Sequence, residues 1–537
     1  MPDRRLKAVW DVQVPVVREL AGVHEYDGIV MDLSPSGRQA ALNRLGPSSP
    51  GERLTDRHDE SHLSAAEQGA RAEAGAEVLQ WNPLPHLQNL DVSCYDREYA
   101  PEPQRRRARE AHLAQWPEAV DASLESLRAV PAPVAGALVG SVRGLAHGIA
   151  GTTDLEVAAL KAHSRLLGRI QDAAAAGNPD AALGGAVLAR LLGHPESMPV
   201  DLGRLEERAD AERDRLRARL HEACERLSPG VAPSRLVPEL LRDHPGEEEI
   251  YAAARATIDE ATAFVSGHDL LPPLGGACEV GPAPPSRRWA AAMMYWTGPF
   301  EDDAPARYYV SPPDESWDEE AKHDWLAVFS ATMGPAVTVH EVTPGHFAHG
   351  RILRQLVRGD VRRSLFSAAF VEGWACYAGE LMVEQGFRAD DPRFAIGVYL
   401  DALVGVTGLA CALGVHRGTM TVDDATARFE ADAFLLGPAA RSEATRATYD
   451  PTYGRYTWGK LEIMSLRDQA LAAWGAKFSL RRFHEALLAL GAPPLGTMGD
   501  SLNWVRRDLD DLAVGEKMVE REKVVDGPHL QLRRRQA

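Results

Sequence analysis

The strongest constraint on the fold is an apolar spacing typical of α-helices, which recurs along most of the chain. In residues 154–176, Leu and Ile recur at three- and four-residue steps directly after helix-capping candidates at Thr152 and Thr153. Residues 202–227 carry Glu and Arg four positions apart, as on a solvent-facing helix. Further helical patterns occupy 247–265, 363–385, 399–416, 422–435 and 458–474. The sequence therefore predicts a mainly α fold.

A Pro- and Gly-rich stretch at 271–289 interrupts this pattern, because proline cannot continue a helix. Two short runs enriched in aromatic residues follow it, AAAMMYWTG at 290–298 and ARYYVSPP at 306–313. Both are bounded by helix breakers, which is typical of strands. We therefore expect a small β-sheet beside the helices. The second run is a candidate edge strand along which an extended peptide could pair.

The same composition shifts suggest how the chain is organised. We expect an N-terminal helical region at 1–270, a second region at 271–525 and a basic tail at 526–537. Within the first region, residues from about 37 to 75 are polar and rich in Gly, Ser and Pro. They read as a long loop or a mobile helical hairpin outside the core.

Composition narrows the partners and the location. The chain has 537 residues, with 77 acidic and 59 basic side chains and a net charge of −18. A nucleic-acid surface needs clustered Lys and Arg, so we expect no nucleic-acid partner. The start has no apolar run of signal-peptide length, and no later segment offers about 20 uninterrupted apolar residues for a membrane span. With five scattered cysteines and no CxxC pair, the sequence predicts a cytoplasmic protein without a membrane partner; it does not indicate an oligomeric state.

One segment carries the residue types of a metal site: His340-Glu341-Val-Thr-Pro344-Gly345-His346. Zinc hydrolases need two neutral imidazoles on one metal and a carboxylate that takes a proton from water. On a regular helix, a six-residue step would separate the two rings by about 120° and 9 Å, too far for one ion. Pro344 cannot donate to the carbonyl four residues back, and Gly345 can adopt angles closed to other residues. The helix must break here, which makes a shared metal feasible; the alternative is a helix end with two unrelated histidines.

A second carboxylate could complete the ligand set. Glu372 stands among the large apolar residues Phe370, Val371 and Trp374, where an unpaired charge is costly. Gly373 beside it would permit a close approach of another element. We expect Glu372 to be the third ligand, delivered by the next helix. Alternatives are that Glu372 pairs with Arg362 or Arg363, or that His349 replaces a ligand; Glu380 could support a ligand imidazole.

The two clusters resemble the bacterial domain of unknown function 885 family, which is grouped with gluzincin-type metallopeptidases. That family carries His-Glu-x-x-Pro-Gly-His followed by Glu-Gly-Trp-Ala-x-Tyr, and both motifs stand here intact at 340–346 and 372–377. Looser matches within about 290–500 are Gly414 to His416, Glu443, Tyr456 with Gly459-Lys460, Arg467, Phe483-His484, Gly491 and Pro494-Leu495.

The resemblance implies a large α-helical, gluzincin-type metallopeptidase fold with a small sheet beside the active site. It also implies one zinc ion on His340, His346 and Glu372, with Glu341 as general base. The oxyanion of the reaction needs a further donor, for which His416 and Tyr456 are candidates. The spacing before Tyr456 is one residue shorter than in the family, so Tyr449 or Tyr453 could take its place.

The predicted function is therefore that of a zinc-dependent, peptidase-like hydrolase acting on a peptide or another small amide. Three alternatives stay open at this point. The chain could be a non-catalytic module that binds metal or peptide, a metal-dependent hydrolase of a non-peptide amide or ester, or a helical scaffold. Cys376, among apolar neighbours, is expected to fill the core, and His484 is expected to be a packed or surface histidine and not a ligand.

Overall fold

The computed structural model describes residues 3–47 and 49–499, and within them the protein is mainly α-helical, as predicted. The helices before the sheet are Arg4–Trp10 (α1), Val14–Val16 (α2), Pro35–Leu42 (α3), Arg57–Gly75 (α4), Val78–Trp81 (α5), Leu84–Leu90 (α6), Glu102–Ala114 (α7), Trp116–Ser126 (α8), Ala132–Gly144 (α9), Asp154–Ala176 (α10), Gly185–Gly193 (α11), Leu202–Leu227 (α12), Pro233–Leu241 (α13) and Glu247–Gly267 (α14). Those after it are Glu319–Leu326 (α15), Gly334–Glu341 (α16), His346–Gln355 (α17), Asp360–Ser364 (α18), Ala368–Glu384 (α19), Pro392–His416 (α20), Val422–Ala433 (α21), Gly437–Tyr449 (α22), Arg455–Trp474 (α23) and Leu480–Leu488 (α24).

The long helices begin where their capping residues predict. The Thr153 side chain accepts a hydrogen bond from the Glu156 N–H and so caps α10. The Ser367 hydroxyl accepts from the Phe370 N–H and caps α19. Each such bond satisfies one of the N–H groups that a helix start leaves without a partner. The start of α19 is therefore set by a local contact.

Residues from about 37 to 75, expected to be a long loop or a mobile helical hairpin, do contain the helices α3 and α4, but the prediction that they lie outside the core is wrong. Residues 57–75 form the 19-residue helix α4, and Leu63 on it is fully buried. Part of its polar face points to the interior, where the buried Arg5 guanidinium pairs with Glu67 at 2.9 Å and with Glu60 at 2.7 Å. Composition alone reads such residues as solvated, since it cannot show that their charges find partners inside the fold.

The hydrophobic core crosses the boundary predicted at residue 271. One cluster of buried apolar side chains runs from Leu188 to Met498, so that α11 to α14 share a core with helices of the second half. A further cluster, running from Leu87 to Tyr449, centres on α6 to α10. The Pro- and Gly-rich stretch therefore does not separate two cores. The tail predicted at 526–537 lies outside the described residues.

The predicted small sheet has three strands, Cys278–Pro282 (β1), Ala292–Tyr295 (β2) and Ala306–Val310 (β3), in the order β1-β3-β2. β3 runs parallel to β1 and antiparallel to β2. The two predicted strands are confirmed, but the expectation that ARYYVSPP is an edge strand is wrong. β1 comes from the Pro- and Gly-rich stretch and pairs with the other side of β3, which leaves β2 at an edge.

Helix α20 supplies much of the core. Within the described part of the chain, it is the one helix long and apolar enough to span a membrane by composition, with a mean hydropathy of 1.9 over its most apolar window. In the structure, 78% of that window is buried. The helix packs against α12, α21 and α22. Its apolar surface is therefore covered by protein.

Candidate metal centre

The backbone between the two histidines breaks as the sequence predicts. α16 ends at Glu341 and α17 begins at His346. A Cβ atom at Gly345 would lie 1.7 Å from the carbonyl oxygen of His340, so only glycine fits there. The Gly345 N–H donates to the Val339 carbonyl at 3.2 Å, which folds the turn back onto the end of α16. The Thr343–Pro344 peptide bond is cis.

This turn brings the two imidazoles together with the carboxylate predicted as their partner. The ring centroids of His340 and His346 are 4.9 Å apart. One Glu372 oxygen lies 3.2 Å from His346 Nε2 and 3.7 Å from His340 Nε2. Ligand atoms about 2.1 Å from a tetrahedral zinc ion are about 3.4 Å from each other. The three side chains, whose ligand atoms all lie within 4.8 Å of one another, therefore fit one zinc ion.

Helix α19 delivers Glu372 and is tied to the turn. A Cβ atom at Gly373 would lie 2.4 Å from the Gly459 carbonyl carbon, so this glycine permits the close approach of α23 that the sequence suggested. The Trp374 indole N–H donates to the Pro344 carbonyl at 2.9 Å. The glycine contact and the indole hydrogen bond fix the position of α19 relative to the turn, because a shift of α19 would lose packing or a buried hydrogen bond.

The alternative partners for Glu372 are wrong. Arg362 pairs with Asp59 at 2.6 Å, and Arg363 donates to the Pro299 carbonyl. His349 does not join the ligand cluster, because its Nε2 atom lies 3.2 Å from the Gly491 carbonyl and its ring is enclosed by Trp296 and other core side chains. Burial lowers the pKa of His349 to about 3.

Glu341 is placed as a base would be. Its side chain is buried, and one of its carboxylate oxygens has no hydrogen-bond partner among the described residues. Burial raises the pKa of Glu341, while the nearby His346 and His340 act in the opposite direction. Burying a polar atom without a partner is costly, so an uncommitted oxygen at this point indicates a ligand or water in the working protein.

The sequence reasoning missed Asp401, which lies behind His340. Its Oδ2 atom is 3.7 Å from His340 Nδ1, on the opposite edge of the ring from Glu372. Cys376 approaches the same nitrogen, with its sulfur at 4.0 Å. A carboxylate at the far nitrogen of a ligand histidine orients the ring and raises its basicity. The available signal was a single acidic residue within the apolar pattern of α20.

Glu380, a candidate partner for a ligand imidazole, does not contact either of the two ligand histidines. It accepts from Lys460 Nζ at 2.5 Å and from Arg215 at 2.6 Å. Glu212 joins the same buried ion network. The sequence places Glu380 two helical turns after Glu372, and at that distance its side chain meets α12 and α23 instead of the turn between α16 and α17.

His416 is not part of the site, and the prediction that it donates to an oxyanion is wrong. It stands at the end of α20, fifteen residues after Asp401. At a rise of about 1.5 Å per residue, that is about 22 Å along the helix axis. The ring is buried against the backbone of Ala181 and Ala447, and burial lowers its pKa to about 4. His416 is a packed helix-terminal histidine.

Tyr456 does lie at the site. Its ring stacks against that of His340 with a centroid separation of 6.2 Å, and its phenol oxygen accepts from Arg446 Nη2 at 2.7 Å. Burial raises the pKa of Tyr456 to about 12, against the lowering effect of Arg446, so the phenol stays protonated at neutral pH. The hydroxyls of Tyr453 and Tyr449 donate elsewhere, to Glu443 and to the Trp289 carbonyl.

His484 is a packed histidine, as expected. Its Nδ1 atom lies 2.8 Å from the Leu270 carbonyl and its Nε2 atom 2.9 Å from the Tyr377 hydroxyl. Both ring nitrogens are therefore engaged within the core, and burial lowers the pKa of His484 to about 4.

Two cavities meet at His340, Glu341 and Tyr456. The larger one, called the cleft here, has a volume of about 530 Å³ and is also lined by His346 and Glu372. The smaller one, called the side pocket, has a volume of about 120 Å³ and extends toward α15, α20 and α22. Strand β2 borders both, since Ala292 lines each of them. The candidate metal centre thus lies beside two adjacent cavities that share lining residues.

The fold has relatives among solved structures. One is a predicted lipoprotein of unknown function from Shewanella oneidensis, with 20% sequence identity, a TM-score of 0.67, and coverage of 92% of this chain and 97% of that one. Another is a predicted lipoprotein from Colwellia psychrerythraea, with 16% identity, a TM-score of 0.72, and coverage of 94% and 98%. At these identities the likeness concerns the fold alone.

Sequence comparison gives the family. No curated protein is significantly similar to the chain. The profile of a family described as bacterial protein of unknown function, DUF885, matches residues 15–502. That range covers the helices α3 to α24, the sheet and both motifs. The chain therefore belongs to the DUF885 family of bacterial proteins.

Proposed function

We propose that this protein is a zinc-dependent, peptidase-like hydrolase, related to gluzincins, whose metal is held by His340, His346 and Glu372. The observation that carries the proposal is the convergence of these three ligand atoms within 4.8 Å, next to a buried Glu341 with an uncommitted oxygen. Two histidines and one carboxylate with an open fourth position form a donor set of hydrolytic zinc sites. When bound, zinc acts as a Lewis acid and lowers the pKa of a coordinated water toward about 7.

Glu341 is the proposed general base and acid. Its free oxygen accepts a proton from the attacking water and returns that proton to the leaving amine. Asp401 is a positioning residue, because it faces His340 from the side opposite Glu372 and would hold the ring in its ligand orientation.

Tyr456 is the proposed donor to the developing oxyanion. Arg446 donates to its phenol oxygen, which leaves the phenol proton free to point at a substrate. A donor aimed at an oxygen that becomes negative stabilises the transition state more than the ground state. Because His416 lies about 22 Å along α20 from Asp401, Tyr456 keeps this role alone among the two predicted donors.

A peptide is the proposed substrate, and β2 is its proposed guide. Residues 292–295 of β2 border the cleft, and β2 pairs with β3 on one side only. An unpaired strand edge can hold an extended chain by main-chain hydrogen bonds. This assigns to β2 the role that the sequence suggested for β3.

The test is metal analysis followed by a cleavage assay on one set of proteins. Wild type, His346→Asn, Glu341→Gln and the control His221→Asn, at an exposed position of α12, are loaded with zinc, dialysed, and analysed by mass spectrometry for metal per chain. We expect about one zinc ion in all but His346→Asn, and cleavage of a peptide library by wild type and His221→Asn only. Equal cleavage by Glu341→Gln would refute the catalytic role. Stoichiometric zinc without cleavage by any protein would indicate a non-catalytic metal-binding module, and wild type without zinc would indicate a helical scaffold.

The cytoplasmic location stays a proposal. The two structural relatives are described as lipoproteins, which points to a location outside the cytoplasm for those proteins. Fractionation of the source bacterium, with the protein detected by an antibody, decides between a cytoplasmic and a non-cytoplasmic location. Recovery in the soluble cytoplasmic fraction supports the proposal, and recovery with membranes or outside the cell contradicts it.

A further inference from the structure

The side pocket has mostly apolar walls. The walls come from α15, α16, α20 and the segments that precede α16 and α22, and include Trp325, Val328, Met333, Val337, Val404 and Leu435. Three consecutive alanines at 290–292 and Gly405 leave the space between these walls open. Bringing an apolar group from water into such a space is favourable in proportion to the apolar area it buries.

Two charged groups of the side pocket, Glu443 and Arg446, are committed to each other and to neighbouring side chains. Glu443 accepts from the Tyr453 hydroxyl and lies 3.7 Å from Arg446. Arg446 also contacts Asp450 at 3.2 Å and donates to Tyr456. Asp401, 3.7 Å from His340, and the uncommitted oxygen of Glu341 add negative charge to the pocket. An acidic side chain entering it would lose its water and meet these carboxylates, which disfavours it strongly.

The volume limits the size of what can enter. An apolar cavity of about 150 Å³ in another protein stays free of water and binds benzene. The side pocket, at about 120 Å³, is slightly smaller. It therefore suits a branched aliphatic chain or a phenyl ring, and it is too small for an indole without rearrangement.

Its position relates it to the reacting bond. His340 and Glu341 line both the side pocket and the cleft, so the side pocket lies next to the metal centre. We propose that the side pocket receives the side chain adjacent to the scissile bond and makes the protein selective for peptides with Leu, Ile or Phe at that position. This inference rests on the proposed hydrolase function and specifies its substrate class.

The expected preference can be measured with peptides that differ at one position. In apolar pockets a single methylene changes kcat/KM by about 10- to 200-fold. We expect zinc-loaded wild type to cleave next to Leu or Phe at least about tenfold faster than next to Ala, and to discriminate more strongly against Asp and Trp. Ala439→Leu, which fills the pocket from α22, should move the preference from Leu to Ala. Leu435→Ala, which enlarges it, should admit Trp.

Two controls keep the outcomes separate. Leu471 is an apolar residue of α23 with 52% of its surface exposed, and Leu471→Ala should keep the wild-type preference. Calorimetry measures the affinity of zinc-loaded Glu341→Gln for the same peptides, and so reports the preference of the pocket without turnover. If wild type cleaves peptides but does not distinguish Leu from Ala, the pocket assignment is overturned and the hydrolase survives. If no peptide is cleaved, the hydrolase proposal fails, and equal affinity of Glu341→Gln for Leu and Ala peptides would then overturn the pocket as well.

Discussion

Replacing Gly345 by alanine should abolish metal binding while leaving most of the fold intact. The added Cβ atom would lie 1.7 Å from the His340 carbonyl oxygen, whereas real Cβ contacts are almost never shorter than 3.0 Å. The turn must therefore move by at least 1.3 Å, the difference between these two distances. Metal–ligand distances tolerate deviations of only about 0.2 Å. A shift of this size between His340 and His346 prevents the two imidazoles from binding the same ion.

The matched control is Gly136→Ala, on the exposed face of α9. A Cβ atom there would meet nothing within 4 Å, so the change should stabilise the protein slightly, by about 0.5–1 kcal/mol. Zinc per chain is measured by mass spectrometry after dialysis, and circular dichroism reports the helix content of each variant. We expect Gly136→Ala to bind zinc as wild type does and Gly345→Ala to bind less than a tenth as much, with similar helix content. Stoichiometric zinc at unchanged affinity in Gly345→Ala would refute the reasoning about the turn.

Three further predictions concern single side chains. Glu341→Gln should retain zinc but lower kcat by about 10²- to 10⁴-fold, measured on the best peptide found; a smaller loss would assign the proton transfer to another group. Asp401→Asn should lower zinc affinity by about 10- to 100-fold in a competition titration with a chromogenic chelator, and unchanged affinity would remove its positioning role. Burial raises the pKa of Glu196 to about 7 from 4.5, so the folded state binds the proton more tightly. The resulting loss in the free energy of unfolding is absent below about pH 4.5 and grows to about 3 kcal/mol above pH 7. Glu196→Gln should therefore raise the free energy of unfolding in urea at pH 8 but not at pH 4, and no gain at pH 8 would contradict this.

The local features of the site could be predicted because they follow from neighbouring residues. Pro344 and Gly345 require a helix break whatever surrounds them, and Gly373 permits a close approach that α23 then makes. The long helices α10, α12 and α20 follow from their apolar spacing, since an amphipathic or fully apolar pattern over many turns has few other solutions.

The missed features depend on residues far apart in the chain. Asp401 and His416 share one helix, and only the packing of α20 against α16 decides that the first reaches His340 and the second does not. Likewise, the polar composition of α4 predicts a solvated segment, and only the ion pairs of Arg5 with Glu60 and Glu67 explain its burial. The central position of β3 depends on β1, which the sequence did not predict because its Gly and Pro residues are rare in strands.

The most direct test of the metal centre is an anomalous diffraction map at the zinc absorption edge, from crystals grown near neutral pH with zinc present. The account predicts one strong peak bonded to His340 Nε2, His346 Nε2 and a Glu372 oxygen, with Glu341 close by but not bonded. A peak bonded to other residues, or no peak at full zinc loading, would contradict it.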